Sequence, residues 1–274
     1  MQAETFEGLR FTKMTASGND FILINNFEQR VPPEAGPWLA QKLCRRALSV
    51  GADGLILLEP PQGEADFAWR FFNADGSEAE MCGNGGRCAA RFAVAEGLAP
   101  PALVFETLAG PIRAEVKGDW VKIQLPPPQG LKLDLPVDEL IVSFINTGVP
   151  HVVCFTNEIE AVPVKKLGAK IRFHPTFQPA GANVNFVQVV GPQKIRVRTY
   201  ERGVEDETLA CGTGATASAL VAVQKGLVQP PVEVETQGGE VLRIVFEANR
   251  LEEVFLEGKA NFVYQARLFS EALF

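Results

Sequence analysis

Short apolar runs separated by glycine-bearing turns make up most of the chain, and two longer runs of small residues each begin at a cysteine. Residues 9–14 (Leu-Arg-Phe-Thr-Lys-Met) mix apolar and polar positions, and 21–24 (Phe-Ile-Leu-Ile) are continuously apolar, which predicts two short strands joined by a polar turn carrying Gly18 and Asn19. Residues 37–48 read as a helix with Leu39, Leu43 and Leu48 on one side, stopping before Gly51. Asp53-Gly54 leads into a strand at 55–58, and a second strand at 67–72 runs into the turn Asn73-Ala74-Asp75-Gly76. A helix from about Gly83 to Glu96 ends at Gly97, strands follow near 103–105, 112–116 and 121–125, and Pro126-Pro127-Pro128 closes the half.

The second half repeats this order. Gly18 is answered by Gly148, Gly51-Ala52-Asp53 by Gly181-Ala182-Asn183, Cys82 by Cys211, Gly97 by Gly226, and Phe105-Glu106-Thr107 by Val234-Glu235-Thr236. The offset drifts by a single residue, from 130 to 129, across the whole series. Single glycines match by chance, but a co-linear series does not, so the chain is read as an internal duplication. Two similar halves are expected to present Cys82 and Cys211 to one cleft from opposite sides.

Composition narrows the partners. With 274 residues, 46% of them hydrophobic, the chain is long enough for two modest cores. A net charge of −7 without any basic run argues against nucleic acid and against an anionic membrane, leaving a small molecule. No basic segment followed by an apolar one opens the sequence, and no window is apolar over the roughly 18 residues that a span requires, so a soluble, cytoplasmic protein is expected. Five cysteines, an odd number, fit a reducing compartment better than a disulfide framework.

Each cysteine motif, Met81-Cys82-Gly83-Asn84-Gly85-Gly86 and Ala210-Cys211-Gly212-Thr213-Gly214-Ala215, places a thiol where a helix begins. Unpaired backbone N–H groups and the positive end of the helix dipole favour a thiolate there and an anion beside it. A cysteine next to glycine is ordinarily a small buried hydrophobe, but recurrence at equivalent places points to chemistry. Two facing thiols suit a reaction in which one removes a proton from carbon and the other delivers one to the opposite face. A Cys-His-Asn hydrolase would have only His151 or His174 to draw on. Gly212-Thr213-Gly214 loosely resembles a dinucleotide loop but does not follow a buried strand, neither copy ends as a phosphate loop does, and Cys82 and Cys88 lack the neighbours of a zinc site. His151 could be a core or turn histidine, yet its repeat counterpart is the polar Asn19-Asp20 loop, which argues for the cleft. Arg202 and Asn73 each stand nine residues before their cysteine, so both are expected at the same pocket.

Lys13-Met14 through Gly18-Asn19-Asp20-Phe21, Phe72 through Gly85, and Tyr200-Glu201-Arg202-Gly203 through Gly214 together resemble the diaminopimelate epimerase family, over essentially the whole chain. The resemblance implies two pseudo-symmetric α/β domains, each a curved, mostly antiparallel sheet around the helix that follows its cysteine. It also implies a cofactor-independent interconversion of LL- and meso-diaminopimelate on the lysine and peptidoglycan route. By the same resemblance Cys82 and Cys211 are the acid/base pair, tuned by His151 and Glu201. The substrate is held by Asn19, Asn73, Asn183, Glu201 and Arg202 and by the backbones of Gly83-Asn84 and Gly212-Thr213. Two positions depart from the family's pattern: Gly54 stands where members often carry Gln, and Val149 where they often carry Asn.

The domains are expected at 1–127, with a last strand from about 262 returning to complete them, and at 128–261. A small amino acid is the expected partner, without cofactor or metal, and a homodimer is left open. A proline-racemase-like isomerase, an amino-acid binder or a redox sensor joining Cys82 to Cys211 are the other readings of the same thiols.

Overall fold

A computed structural model describes residues 3–274, which form two compact units, one of residues 3–123 with 259–274 and one of 124–258. In the first, β1 (Arg10–Ala16) and β2 (Asn19–Asn25) form a hairpin whose two-residue loop, Ser17-Gly18, has positive φ at both positions (50° and 84°). That is the geometry a twisted two-residue hairpin favours. Helix α1 (Gly36–Leu43) crosses to β3 (Gly54–Glu59), parallel to β2, and β4 (Phe67–Asn73) returns antiparallel. Helix α2 (Gly83–Ala95) leads to β5 (Ala102–Thr107), parallel to β4, then to the meander of β6 (Gly110–Lys117) and β7 (Trp120–Gln124).

The second unit opens with β8 (Gln129–Val137) and then repeats the series as β9 (Leu140–Asn146), β10 (Pro150–Phe155), α3 (Val164–Arg172), β11 (Asn183–Gly191) and β12 (Lys194–Glu201). It continues with the short β13 (Asp206–Thr208), α4 (Gly212–Gln224), β14 (Val232–Thr236), β15 (Val241–Glu247) and β16 (Arg250–Lys259). Its pairings match the first unit's: antiparallel β9–β10, parallel β10–β11, antiparallel β11–β12, parallel β12–β14 and antiparallel β14–β15 and β15–β16. The last strand, β17 (Asn261–Arg267), pairs antiparallel with β1 as β8 pairs with β9. The outer strand therefore comes last in one unit and first in the other. The mixed α/β class and the duplication expected from the sequence are both present.

Each sheet is covered on two sides. Helix α2 packs on β1, β2, β3, β4 and β6, while α1 lies against β3 and β4; α4 and α3 do the same in the second unit. Both faces of the central strands are thus apolar: Leu55 and Leu57 join the cluster of Leu39, Leu43, Phe72 and Leu268 on the α1 side, and Ile56 lies against Gly85 of α2. This explains why 55–58 read as a continuous apolar run.

Helix α1 is shorter than the sequence suggests. It stops at Leu43, Ala47 adopts φ 64°, and the Gly51 N–H returns to the Leu43 carbonyl (2.8 Å), so Leu48 is 71% exposed instead of continuing the buried stripe. The backbone closes its own C-terminal carbonyls through this turn, an outcome that side-chain periodicity does not report. No helix among the described residues is long and apolar enough to cross a membrane.

Candidate active site

Cys82 and Cys211 occupy the same structural place twice. Cys82 is the N-cap of α2 (φ −145°, ψ 118°) and Cys211 the N-cap of α4 (φ −129°, ψ 109°). The first helical bonds, Gly86 N–H to Cys82 O and Ala215 N–H to Cys211 O, are both 2.8 Å. Cys82, Gly83, Cys211, Gly212 and Thr213 are half-buried, and the residues that follow are buried from Asn84 to Ala90 and from Gly214 to Val223. The Cys82 Sγ accepts from the Gly85 N–H at 3.4 Å, and the Cys211 Sγ lies 3.5 Å from the Thr213 Oγ1. The backbone N–H groups of Gly83, Asn84, Gly212 and Thr213 precede the first helical bonds, where geometry leaves donors for an anion.

Glycine at the third helical position has a steric cause in the second copy, where a Cβ on Gly214 would sit only 2.3 Å from Asn185 Oδ1; in the first, a Cβ on Gly85 would meet Ile56 Cδ1 at a tight 3.2 Å. Cys44 and Cys154, by contrast, are buried thiols, each pushed up to about 12 chiefly by desolvation. Such thiols are poor nucleophiles.

In the first unit a directed chain of hydrogen bonds runs from α2 to the β2–β3 region. Arg87, on α2 and wholly buried, donates to Ser17 Oγ (2.5 Å) and to Asn84 Oδ1 (3.0 Å). Asn84 Nδ2 then donates to Asn19 Oδ1 (2.7 Å), and Asn19 Nδ2 to Asp53 Oδ2 (2.9 Å). A guanidinium can only donate and a carboxylate only accept, so the two charged ends fix the orientation of both amides between them. Asn19 keeps one N–H and one lone pair beyond these bonds. Asn73, at the end of β4, is tied instead to Ser77 (Nδ2 to Oγ, 2.9 Å).

The second unit gathers His151, Asn183, Glu201 and Arg202 on the ends of β10, β11 and β12. His151 and Asn183 are register partners, and the Asn183 Oδ1 accepts the Arg202 backbone N–H at 2.7 Å. One arm of Arg202 donates to the Ala180 carbonyl (3.1 Å). Burial, helped by the nearby Arg202 charge, lowers the His151 imidazole to about 3, so the ring is neutral. Burial raises the Glu201 carboxyl, with the Thr208 hydroxyl opposing. Thr147 holds the α4 start through Oγ1 to the Thr213 carbonyl (2.9 Å).

Gly54 has a local cause: a Cβ there would lie 2.4 Å from Phe71 Cε2 and 2.8 Å from the Phe72 carbonyl. Three residues that sequence reasoning passes over, Asp53, Arg87 and Asn185, orient the expected ones. Asp53 carried a usable signal, because it is the repeat counterpart of Asn183; Arg87 and Asn185 carried none.

The fold is shared by solved structures: the Bacillus anthracis phenazine biosynthesis protein of the PhzF family superposes with a TM-score of 0.72 over 95% of this chain and 99% of its own, at 15% identity. That likeness places the chain in a class of duplicated α/β scaffolds, which here carries a thiol at two equivalent helix starts. The diaminopimelate epimerase family model matches residues 11–129 and 143–263. Diaminopimelate epimerase of Aquifex aeolicus is 51% identical over 97% of this chain and 99% of its own, and that of Hydrogenobaculum sp. 44% identical over 94% and 97%. The chain belongs to the diaminopimelate epimerase family.

Proposed function

We propose that the protein interconverts LL- and meso-diaminopimelate by inverting one Cα, with Cys82 and Cys211 serving opposite faces of that carbon. The observation that carries this reading is the equivalence of the two thiols: same N-cap conformation, same first helical bond, same half-burial, on two copies of one fold. A reaction that removes a proton from one face and returns one to the other needs two such groups in complementary protonation states. When the substrate runs the other way, they exchange roles.

An amino acid α-proton is very weakly acidic, and an ordinary thiol near pKa 8.5 is a modest base, so the site must also stabilise the carbanion-like state. The N–H groups of Gly83-Asn84 and Gly212-Thr213 supply this by meeting the α-carboxylate as charge builds on it. Asn19, Asn73, Asn183 and Arg202 hold the second amino acid head, and Glu201 and the neutral His151 tune the thiols. Arg202 has donors beyond the one given to Ala180, enough for a two-pronged grip on a carboxylate. The cytoplasm, where thiols stay reduced, is the compartment this chemistry requires.

Incubation with LL-diaminopimelate in heavy water tests the reading directly. The expected result is deuterium at one Cα, appearing together with the meso isomer. Absence of exchange in a folded preparation overturns it.

A further inference from the structure

His151 and Asn185 form a buried pair whose proton positions the surrounding bonds determine. Both residues have no exposed surface, and the Asn185 Nδ2 lies 3.1 Å from the His151 Nδ1. Taken alone, this contact could run either way. Asn185, however, has two further contacts: its Nδ2 is 3.0 Å from the Val152 carbonyl oxygen, and its Oδ1 is 2.9 Å from the Thr199 hydroxyl. A carbonyl can only accept, so the nitrogen of the amide must face Val152, while the Thr199 hydroxyl rotates to donate to Oδ1. Turning the amide over would set two carbonyl oxygens against each other in a fully buried place. Both amide hydrogens are thereby assigned, one to Val152 and one to His151.

The Nδ1 of a neutral imidazole that receives a hydrogen bond carries no proton, which leaves the proton on Nε2. That Nε2 is buried and has no hydrogen-bond partner among the described residues. The helix bearing Cys211 reinforces the arrangement, because Gly214 is the one residue type that leaves room for the Asn185 Oδ1. The ring's neutrality follows from burial, with the guanidinium of Arg202 as the charged group that bears on it.

We propose that Asn185 is a positioning residue that locks His151 as its Nε2–H form, so that during the reaction His151 gives a hydrogen bond to an anion from Nε2 and does not collect a proton there. The role in the reaction rests on the epimerase reading above; the tautomer does not. It deepens that reading by assigning His151 the donor's part, which makes it a stabiliser of negative charge.

The test uses the full chain labelled with ¹⁵N-histidine and long-range ¹H–¹⁵N NMR. The chain has only His151 and His174, so a His174→Gln variant assigns the signals. The expected spectrum shows His151 protonated on Nε2 and bare on Nδ1, unchanged from pH 5.5 to 8.5. Asn185→Asp, which offers an acceptor to Nδ1, is expected to move the proton to Nδ1 and to lower kcat for hydrogen exchange at least tenfold with a smaller change in KM. Thr199→Val, which removes the donor to Oδ1 but leaves the Val152 carbonyl holding the amide, is expected to keep the Nε2–H form. A wild-type proton on Nδ1, an imidazolium, a pattern unmoved in Asn185→Asp, or a proton moved to Nδ1 in Thr199→Val overturns the proposal. Because the spectrum needs no substrate, a wild-type protein that fails to exchange diaminopimelate hydrogen yet shows the Nε2–H form would sink the activity reading alone.

Discussion

The starts of α2 and α4 share a backbone and differ in almost everything that lines it. At matched positions the first unit has Ser17, Asp53, Asn84 and Arg87 where the second has Thr147, Asn183, Thr213 and Thr216. The first unit runs a chain of bonds between a buried guanidinium and a carboxylate; the second uses hydroxyls, with Thr147 on Thr213 O and Thr216 on Gly212 O. What the two copies retain is the frame that puts a thiol at a helix start, N-cap dihedrals and the third-position glycine. What they have let diverge is the polar wall. A duplicated frame supplies two thiols, and a diverged wall sets each among different polar side chains.

Removing either thiol breaks the comparison most severely. Cys82→Ala and Cys211→Ala are each expected to lower epimerisation by about 10²–10⁴-fold, the usual weight of a general acid or base. Following product by chiral chromatography checks this, and full turnover by either variant would show that one thiol serves both faces.

Next comes Arg202 of the second unit, the proposed anchor of the distal carboxylate. Losing one partner of a charge-assisted contact costs about 2–5 kcal/mol, roughly 30- to 5,000-fold. Arg202→Ala is expected to lose that much in kcat/KM for diaminopimelate, with Arg202→Lys losing less. A loss under about tenfold would mean that Arg202 does not hold the distal carboxylate.

The polar walls themselves should differ in what they contribute to stability. Arg87→Met strands Asn84 and Ser17 in a buried place and is expected to cost about 2–4 kcal/mol. Its counterpart Thr216→Val removes one hydroxyl-to-carbonyl bond and should cost about 1 kcal/mol or less. Urea titrations of both variants measure this directly; equal costs would mean that the two walls do the same structural work.

The smallest effects are those of pH, and their signs are opposite. His151 is lowered from 6.5 to about 3, so the stability of its neutral form is complete above 6.5 and is lost as pH falls from there. Between pH 7.5 and 5.5 that loss is about 1 kcal/mol, and His151→Gln should remove it. Glu201 is raised by burial, so its contribution is present below its ordinary value of 4.5 and is lost as pH rises through its folded pKa. Glu201→Gln is therefore expected to be more stable than the parent at neutral pH and no better near pH 4. Parallel pH profiles for parent and variants would contradict both assignments.

Much of this was legible in the sequence for a definite reason. Hairpin turns, helix starts at cysteine and the co-linear glycines are local signals, and the duplication made each half a check on the other. Depth was not legible. Arg87 on a helix ordinarily reads as a surface residue, and nothing in its neighbours says that it is wholly buried. Asn185 stands two residues after Asn183 in β11, and because that strand is covered on both sides both asparagines are buried, which polar-apolar alternation does not report. Leu48 failed in the opposite sense, for α1 ended before its stripe did.

The returning strand has a consequence for how the protein is made. Because β17 supplies the outer neighbour of β1 and Leu268 and Leu273 enter the cluster around Phe6, Leu9 and Leu39, the first unit to be synthesised lacks part of its own core until the last residues arrive. The second unit has every strand it needs by residue 259. Folding on the ribosome then proceeds out of order: the later-made half can finish first, while β1 waits as an uncovered edge that chaperones, or another chain's strand, can reach.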